Sequence, residues 1–263
     1  MRPTWGRFSE RRRLPCILPQ ALVPALDQPN AYTIYFSGGV LLEAEGLARH
    51  LAASHAAGRV TQVYPAGDQA ARAAATALRR ALSSSPLLLR EQVLPPAAAP
   101  RQPCGDGDDV ATVFWMNRAA LVASACQPGR HPYLAGALLV EALPAGWEAA
   151  IRVLRWDSGP AHERRLRRAR DWLSARAIRI DDEELQVNAL FALSMIGEAM
   201  MHMLDSFSRE YLVELIEHDV NVTVLPSMYP HLSLGRDLRV AAHEVYVGSA
   251  AEGTSESAPG DSP

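Results

Sequence analysis

Short apolar runs of strand length alternate along the chain with longer segments in which apolar residues recur every three or four positions. Three such pairs follow one another, at 31–36 and 40–51, at 59–64 and 69–82, and at 109–115 and 118–125. Strands that alternate with helices in this way predict βαβ units and a parallel sheet. The predicted fold class is therefore α/β, with a mostly parallel sheet flanked by helices and with ligands bound at the carboxyl ends of its strands.

The remaining pattern adds short strands and places several helices late in the chain. Strands are predicted at 15–18, 90–94, 131–139, 152–156, 221–225 and 238–247. Helices are predicted at 163–178, 181–204 and 207–218, the second of which starts with a capping box formed by Asp181 and Glu184. Residues 248–263 consist largely of Ser, Gly, Ala, Glu and Pro, and are predicted to be disordered.

All 26 basic residues are arginine, and the formal net charge is −3. Without lysine, the chain cannot be a Schiff-base enzyme, a Walker A nucleotide-binding protein or a protein kinase. The near-neutral charge indicates no overall attraction to nucleic acid or to anionic membranes. The densest charge is the group of arginines between Arg164 and Arg170. It lies opposite an apolar stripe that includes Leu166, Trp172 and Leu173, so we interpret it as a solvated helix face.

No common catalytic or metal-binding motif is present. The eight histidines are scattered without an HExxH pattern, and a GxSxG elbow is absent, so we predict no metal, no cofactor and no catalytic residue. The turn Ser37-Gly38-Gly39 could offer backbone N–H groups to an anion, although it is not a dinucleotide fingerprint. Cys104 and Cys126 could pair in an oxidising compartment, but the favoured interpretation is that they and Cys16 are free thiols.

Neither of the two most apolar stretches resembles a targeting or membrane segment. Residues 14–26 follow three arginines, but three prolines and Gln20 make a poor signal-peptide core. Residues 185–204 are interpreted as a core helix, because they contain Gln186, Asn188, Glu198 and His202.

Three groups of segments follow one another in a recognisable order. Pro15–Gln20 leads to Tyr32–Ser37, Val60–Tyr64 is followed by Gly67 and Asp68, and Asn188–Ala199 precedes Tyr229–Leu234. In this order they resemble a type I periplasmic binding protein of the branched-chain amino acid and amide group. The first group resembles the crossing from the first lobe of that family to the second, the second group the strand–helix unit after the crossing, and the third the late helix and closing segment.

The resemblance implies a two-lobed receptor that closes on a small polar solute and presents it to an ABC permease, without catalysis and without nucleic acid as a partner. It implies the following organisation: a remnant of the first lobe and the crossover at 1–30, a ligand-binding lobe at 31–152, helices and closing strands at 153–247, and a tail at 248–263. It also implies a periplasmic protein, whereas a chain that truly starts at Met1 would lack a signal peptide and stay in the cytoplasm.

Two departures from the family lead to further expectations. Only about twenty residues precede the crossing, where a lobe of ordinary domain size would stand, so we expect an N-terminally shortened member. Its late helices would then expose apolar faces and favour self-association. The family often carries a ligand-contacting Tyr-Gly pair at the places held here by Ala70 and Ala71.

We predict that the ligand contacts come from residues at strand ends, namely Phe36, Ser37, Asp68, Trp115, Asn117 and Gly136. Ser37 and Asn117 would supply hydrogen bonds, and Asp68 would meet an ammonium or amide group. Trp115 would form an apolar wall, unless it belongs to the core; Asp68 could instead only cap its helix. Two alternatives remain open: an intracellular amide or amino-acid sensor of the same fold, and a small α/β enzyme that uses Ser37-Gly38-Gly39 for an anionic substrate.

Overall fold

The structure is a computed structural model, which describes residues 5–26, 30–95, 104–105, 107–124, 126–128, 131–139, 142–156, 160–203, 207–223, 225–234, 239–249 and 256–257. Seven α-helices occur in these ranges: α1 (Trp5–Arg12), α2 (Val40–Ser54), α3 (Gln69–Ala81), α4 (Arg118–Ser124), α5 (Pro160–Ser174), α6 (Glu183–His202) and α7 (Arg209–Val220). The strands described are β1 (Cys16–Ile17), β2 (Thr33–Ser37), β3 (Gly58–Pro65), β4 (Leu87–Leu94), β5 (Ala111–Phe114), β6 (Pro132–Ala135), β7 (Ile151–Leu154), β8 (Val240–Ala242), β9 (Tyr246–Ser249) and β10 (Glu256–Ser257).

The chain divides into two compact units, and neither is a single stretch of sequence. Unit 1 comprises residues 1–38 and 158–243, and unit 2 comprises residues 39–157 and 244–263. Strand β2, which the sequence grouped with a lobe at 31–152, belongs to unit 1. The reason is its hydrogen bonding, since β2 pairs in parallel with both β1 and β8.

Unit 2 is built on a seven-stranded sheet of order β10-β9-β7-β6-β5-β3-β4. The five strands from β4 to β7 are parallel, while β9 runs antiparallel to β7 and β10 antiparallel to β9. The α/β prediction with a mostly parallel sheet is therefore confirmed. Because the parallel strands point the same way, their carboxyl ends meet at one edge of the sheet.

The centre of this sheet is held by apolar side chains in register across three strands. Val63 pairs with Phe114, and Phe114 with Leu134, and each of the three is fully buried. Trp147 packs edge-on against Phe114, with ring centroids 4.8 Å apart. Burying an aliphatic or aromatic side chain of this size stabilises the fold by about 1.5–3 kcal/mol.

Unit 1 places helices against a three-stranded parallel sheet of order β1-β2-β8. Every residue of β2 is buried, as expected for a central parallel strand. Phe36 stacks on Tyr229 at a centroid distance of 5.6 Å and contacts Phe191 of α6 at 5.7 Å. These rings join the middle of the sheet to the late part of the chain.

The predicted closing strands differ from the structure. Residues 221–223 form no strand: the side-chain amide of Asn221 donates to the Glu217 carbonyl and the backbone turns there, while residue 224 lies outside the described part. The segment 238–247 is not one strand, because β8 pairs in unit 1 and β9 pairs in unit 2. Gly248 and Ser249 extend β9 by pairing with Arg152 and Ile151, and only two later residues, 256–257, are described.

Two predictions about the helices of unit 1 need correction. Asp182, not Asp181, is the N-cap of α6, since its side chain accepts the N–H of Leu185 at 3.0 Å. Trp172 does not join the apolar stripe of α5. Leu166, Ala169 and Leu173 are buried, whereas Trp172 is 39% exposed and lies beside the arginines.

The favoured interpretation of three free thiols is wrong for two of them. Cys104 and Cys126 form a disulfide with a Cα–Cα distance of 5.2 Å, and Cys16 is free. Both paired residues pack on the apolar cluster around Phe114, where the connection between β4 and β5 passes the end of α4. Sequence spacing alone does not show that these two segments meet.

Candidate functional site

Three of the predicted ligand-binding residues lie at the carboxyl edge of the unit 2 sheet. Asp68 follows β3, Asn117 follows β5 and Gly136 follows β6. The strands β3, β5 and β6 are parallel neighbours, so the topology brings these three positions to the same edge. This is the edge at which α/β sheets bind their ligands.

Asp68 and Asn117 each cap the helix that follows them. One carboxylate oxygen of Asp68 accepts the N–H of Ala71 at 3.0 Å, and the amide oxygen of Asn117 accepts the N–H of Ala120 at 2.8 Å. Among the described residues, the second Asp68 oxygen and the Asn117 amide nitrogen make no hydrogen bond within the protein. Each side chain therefore holds its helix and still carries one polar atom that a solute could use.

Trp115 lies in the core of unit 2 in this structure. Its side chain has no exposed surface, and its indole Nε1 donates a hydrogen bond to Oε1 of Gln62 at 3.1 Å. The amide nitrogen of Gln62 in turn donates to Glu91 at 2.9 Å and to the Ala75 carbonyl at 3.1 Å. Trp115 therefore packs inside unit 2, with its indole nitrogen bonded to Gln62.

The same network perturbs a neighbouring phenol. The hydroxyl of Tyr64 donates to Oε2 of Glu91 at 3.0 Å, and Arg79 donates to the other oxygen of Glu91 at 2.9 Å. Burial, and then the hydrogen bond to Glu91, raise the pKa of Tyr64 above its ordinary value. The phenol therefore stays protonated at neutral pH and acts as a donor that fixes Glu91.

Gly136 occupies a position at which no other residue fits. A Cβ atom there would lie 2.6 Å from the Cδ2 of Leu154 and 2.7 Å from the carbonyl oxygen of Val153, which is backbone and cannot move aside. The glycine thus lets the short 3₁₀ helix Gly136–Leu138 approach the end of β7.

A buried ion pair, which the sequence analysis missed, fixes this 3₁₀ helix. Both oxygens of Glu43 accept the N–H of Ala137, at 2.9 and 3.2 Å, and Nε of Arg155 lies 3.2 Å from Oε1 of Glu43. Glu43 is fully buried and Arg155 is 4% exposed. Burial lowers the pKa of the nearby Arg152, and the charge of Glu43 partly opposes that effect. The pair positions backbone at the carboxyl edge of the sheet.

The sequence contains a signal that could have revealed Glu43. In α2, the apolar residues Val40, Ala44, Leu47 and Leu51 define the inward stripe, and position 43 falls on it. A carboxylate on a buried stripe requires a cationic or hydrogen-bonding partner. Arg155, directly after a short strand, is such a partner, but only the tertiary structure identifies it.

Phe36 and Ser37 are the predicted site residues of unit 1, and both are buried there. Phe36 is 2% exposed beneath Tyr229 and Phe191, and Ser37 is 4% exposed and pairs with Ala242 of β8. Gly39 follows with φ 57°, which lies in the left-handed region and explains a glycine before α2. The structure therefore places Phe36 and Ser37 in unit 1 and the four other predicted residues in unit 2.

Two further features bear on the class of site. Across the part of the chain that the structure describes, no three His, Cys, Asp or Glu side chains are grouped as a metal site would need. Within the same ranges, no helix is long and apolar enough to cross a membrane.

Comparison with known proteins gives matches at the level of structure. No protein-family model and no curated protein matches the chain. A leucine-binding protein from Thermotoga maritima is 11% identical with a TM-score of 0.64, and the match covers 96% of this chain and 74% of that one. An extracellular ligand-binding receptor from Rhodopseudomonas palustris is 12% identical with a TM-score of 0.69, covering 96% and 77%.

This chain has the type I periplasmic binding protein fold. A third structure, a branched-chain amino acid ABC transporter from Thermus thermophilus with bound valine, gives a similar match. It is 12% identical with a TM-score of 0.63, and the match covers 97% of this chain and 73% of that one. At such identities the similarity establishes the fold alone. The order of the segments in the sequence had indicated a type I periplasmic binding protein, and this prediction is confirmed at the level of the fold.

Proposed function

We propose that this protein binds a small polar solute, an amino acid or an amide, as the solute-binding component of an ABC importer and without catalysis. The observation that carries the proposal is the carboxyl edge of the unit 2 sheet, where polar groups accompany a fold that amino-acid-binding proteins share. Asp68 and Asn117 each combine a capping role with one uncommitted polar atom, which suits recognition of a charged or amide-bearing solute.

In this proposal, Asp68 meets an ammonium or amide group, Asn117 donates from its amide nitrogen, and the backbone near Gly136 supplies further contacts. Phe36, Ser37 and Trp115 remain part of the proposed set. In this proposal Phe36 and Trp115 shape the apolar wall of the site, and Ser37 supplies a hydrogen bond. None of the six requires a bond to be made or broken.

Binding is tested by thermal unfolding of the full chain in the presence of branched-chain amino acids, carboxamides and sugars. A ligand at a hundred times its Kd stabilises the folded state by about 2.7 kcal/mol. We expect at least one amino acid or amide to raise the Tm at millimolar concentration, with a Kd then measured by calorimetry. If no compound of the panel shifts the Tm, this chain does not bind such solutes.

Substitution of Asp68 separates ligand binding from helix capping. Asp68→Asn keeps an oxygen that can accept the N–H of Ala71 but removes the negative charge, so it should weaken binding of an ammonium-bearing solute with little change in the Tm. Asp182→Asn is the matched control, because Asp182 caps α6 through the same bond to Leu185. Equal effects of the two substitutions on the Kd would remove Asp68 from the site.

We also propose that the protein works in the periplasm. Disulfides form and persist in oxidising compartments, and Cys104 is joined to Cys126. A thiol assay on the protein from whole cells, unfolded without reduction, should detect one thiol, that of Cys16, and full reduction should reveal all 3 cysteines. Three thiols before reduction would argue against that compartment.

A further inference from the structure

The exposed side of α5 carries basic and aromatic residues in a line. Arg164, Arg168, Trp172 and Arg176 are spaced four residues apart, so they follow one side of the helix and continue past its end. Trp172 is 39% exposed, and the guanidinium of Arg176 lies 3.9 Å from the centroid of its indole ring. We refer to these four residues as the α5 line.

The segment that follows α5 adds exposed aliphatic side chains to this surface. All residues from 174 to 181 are exposed, and among them Ile178 and Ile180 are 41% and 39% exposed. The turn is held in place, since the N–H groups of Arg176 and Ile178 both donate to the Leu173 carbonyl, at 3.1 and 3.0 Å. A fixed backbone thus presents two isoleucines to solvent beside a tryptophan and several arginines.

The acidic side chains near this surface are largely engaged elsewhere. Glu163 and Glu183 both pair with Arg170, and Asp181 pairs with Arg179. Two more acidic side chains are committed within unit 1: Asp182 caps α6 and Glu184 accepts a hydrogen bond from Gln20.

The arginines on the outward side of α5 are left uncompensated. Arg164, Arg167 and Arg168 form no ion pair with any residue that the structure describes. Asp171 is the acidic residue of α5 that lies among them and is not paired with Arg170. The surface therefore has an excess of positive charge in a chain whose formal net charge is −3.

We propose that the α5 line and the exposed turn 174–181 form a docking surface for an anionic phospholipid bilayer. Arginines attract anionic head groups, a tryptophan is suited to the interface between head groups and acyl chains, and isoleucines at the tip of a turn can enter the apolar layer. Nucleic acid is the other polyanion that such charges could attract. Ile178 and Ile180 favour lipid over nucleic acid, because proteins contact phosphates and bases mainly through basic, polar and aromatic side chains.

Co-sedimentation of the full chain with vesicles tests the proposal. We expect binding to phosphatidylcholine–phosphatidylglycerol vesicles mixed at about 7:3, little binding to pure phosphatidylcholine, and loss of binding at about 0.5 M NaCl, where the Debye length falls to about 4 Å. Binding should shift the tryptophan emission to shorter wavelength, and Trp172→Phe should remove most of that shift, because Trp172 lies on the proposed surface, whereas Trp115 and Trp147 are buried in unit 2 and Trp156 is half-buried there.

Two sets of variants distinguish charge from insertion. Each arginine near an anionic surface is worth about a fivefold change in affinity, so Arg164→Gln with Arg168→Gln should weaken vesicle binding by about 25-fold. Ile178→Ser with Ile180→Ser should weaken binding while leaving its salt dependence unchanged. Arg72→Gln with Arg80→Gln is the matched control, since both are exposed arginines of α3 in unit 2. Circular dichroism checks that every variant is folded.

Several outcomes would overturn the proposal. These are equal binding to neutral and anionic vesicles, equal loss of affinity in the α3 control, and no binding by the folded wild-type chain. Salt-sensitive binding to a single-stranded oligonucleotide without vesicle binding would assign the surface to nucleic acid instead. The vesicle assay needs no solute, so its failure leaves the proposed solute binding unaffected.

Discussion

Replacing Glu43 with leucine should reduce the stability of unit 2 by about 4 kcal/mol, more than a typical core substitution. The carboxylate is fully buried and accepts the N–H of Ala137, and Arg155 lies 3.2 Å away with 4% exposure. Its removal breaks a buried ion pair with the Arg155 guanidinium, and breaking such a pair from one side costs about 3–5 kcal/mol. The amide of Ala137 also loses its acceptor, which costs about 1–3 kcal/mol, less any relaxation of the surrounding groups.

The double variant, with Glu43 and Arg155 both replaced by leucine, measures the coupling between the two charges. Arg155→Leu alone should cost about 3 kcal/mol, because it takes a neighbouring positive charge away from a buried carboxylate. With both residues replaced by leucine, no charge of the pair remains, and the loss should fall to about 1–2 kcal/mol for the orphaned amide. The summed losses of stability in the two single variants should therefore exceed the loss in the double variant by about 5 kcal/mol.

Urea unfolding followed by circular dichroism gives these free energies, and hydrogen exchange gives the local effect. The Ala137 amide should exchange faster in Glu43→Leu than in the wild type, while Glu43→Gln, which keeps an acceptor, should protect it partly. If the two single losses add up to the double loss within about 0.5 kcal/mol, the pair is not coupled and the reasoning fails.

Three other substitutions have defined expectations. Gly46→Ala should destabilise the protein by about 1–3 kcal/mol despite the better helix propensity, since a Cβ there would lie 2.4 Å from the Cβ of Val245. A further Val245→Ala keeps that Cβ and removes only the two Cγ atoms at 2.6 Å, so it should restore only part of the loss measured in chemical unfolding. Tyr32→Phe should raise the pKa of Glu210, which the hydrogen bond from the Tyr32 hydroxyl lowers. A lowered pKa stabilises the folded state only where the carboxylate is ionised, so the Tm difference from wild type should be complete above the ordinary Glu pKa of about 4.3 and should shrink as the pH falls below it. Leu193, 69% exposed on α6, should promote a dimer in light scattering that Leu193→Glu abolishes, and a wild-type monomer would contradict this.

The strand–helix alternation was enough to predict the parallel sheet. Strands β3 and β5 are buried along most of their length, because both faces of the sheet are covered, and each is followed by a capping residue before its helix. Local signals of this kind depend on residues close in sequence. They therefore identified Asp68 and Asn117 at the ends of strands.

The closing strands could not be predicted in the same way. The segment 238–247 has a continuous β pattern, yet its two halves pair in different sheets, with β2 and with β7. Which neighbour a short strand joins depends on segments far away in sequence. The same limit hid the Cys104–Cys126 bond and the partner of Glu43.

The prediction for Trp172 failed for a different reason. Helical spacing placed it near Leu173, but the buried stripe of α5 is narrow and centres on Leu166, Ala169 and Leu173. At the margin of that stripe, the indole is covered by Arg176 and not by the core. An amphipathic pattern fixes the centre of a buried face better than its borders.

The division of the chain has a consequence for biosynthesis. The backbone passes between the units after residues 38, 157 and 243, so a ribosome releases residues 39–157 long before it makes β9. Until β9 arrives, β7 is an open edge that another chain could pair with. The pairing of β9 with β7 has to close a loop that spans residues 158–243, so we expect this folding step to be slow. Because each unit consists of two separate stretches of sequence, no single proteolytic cut can release either unit intact.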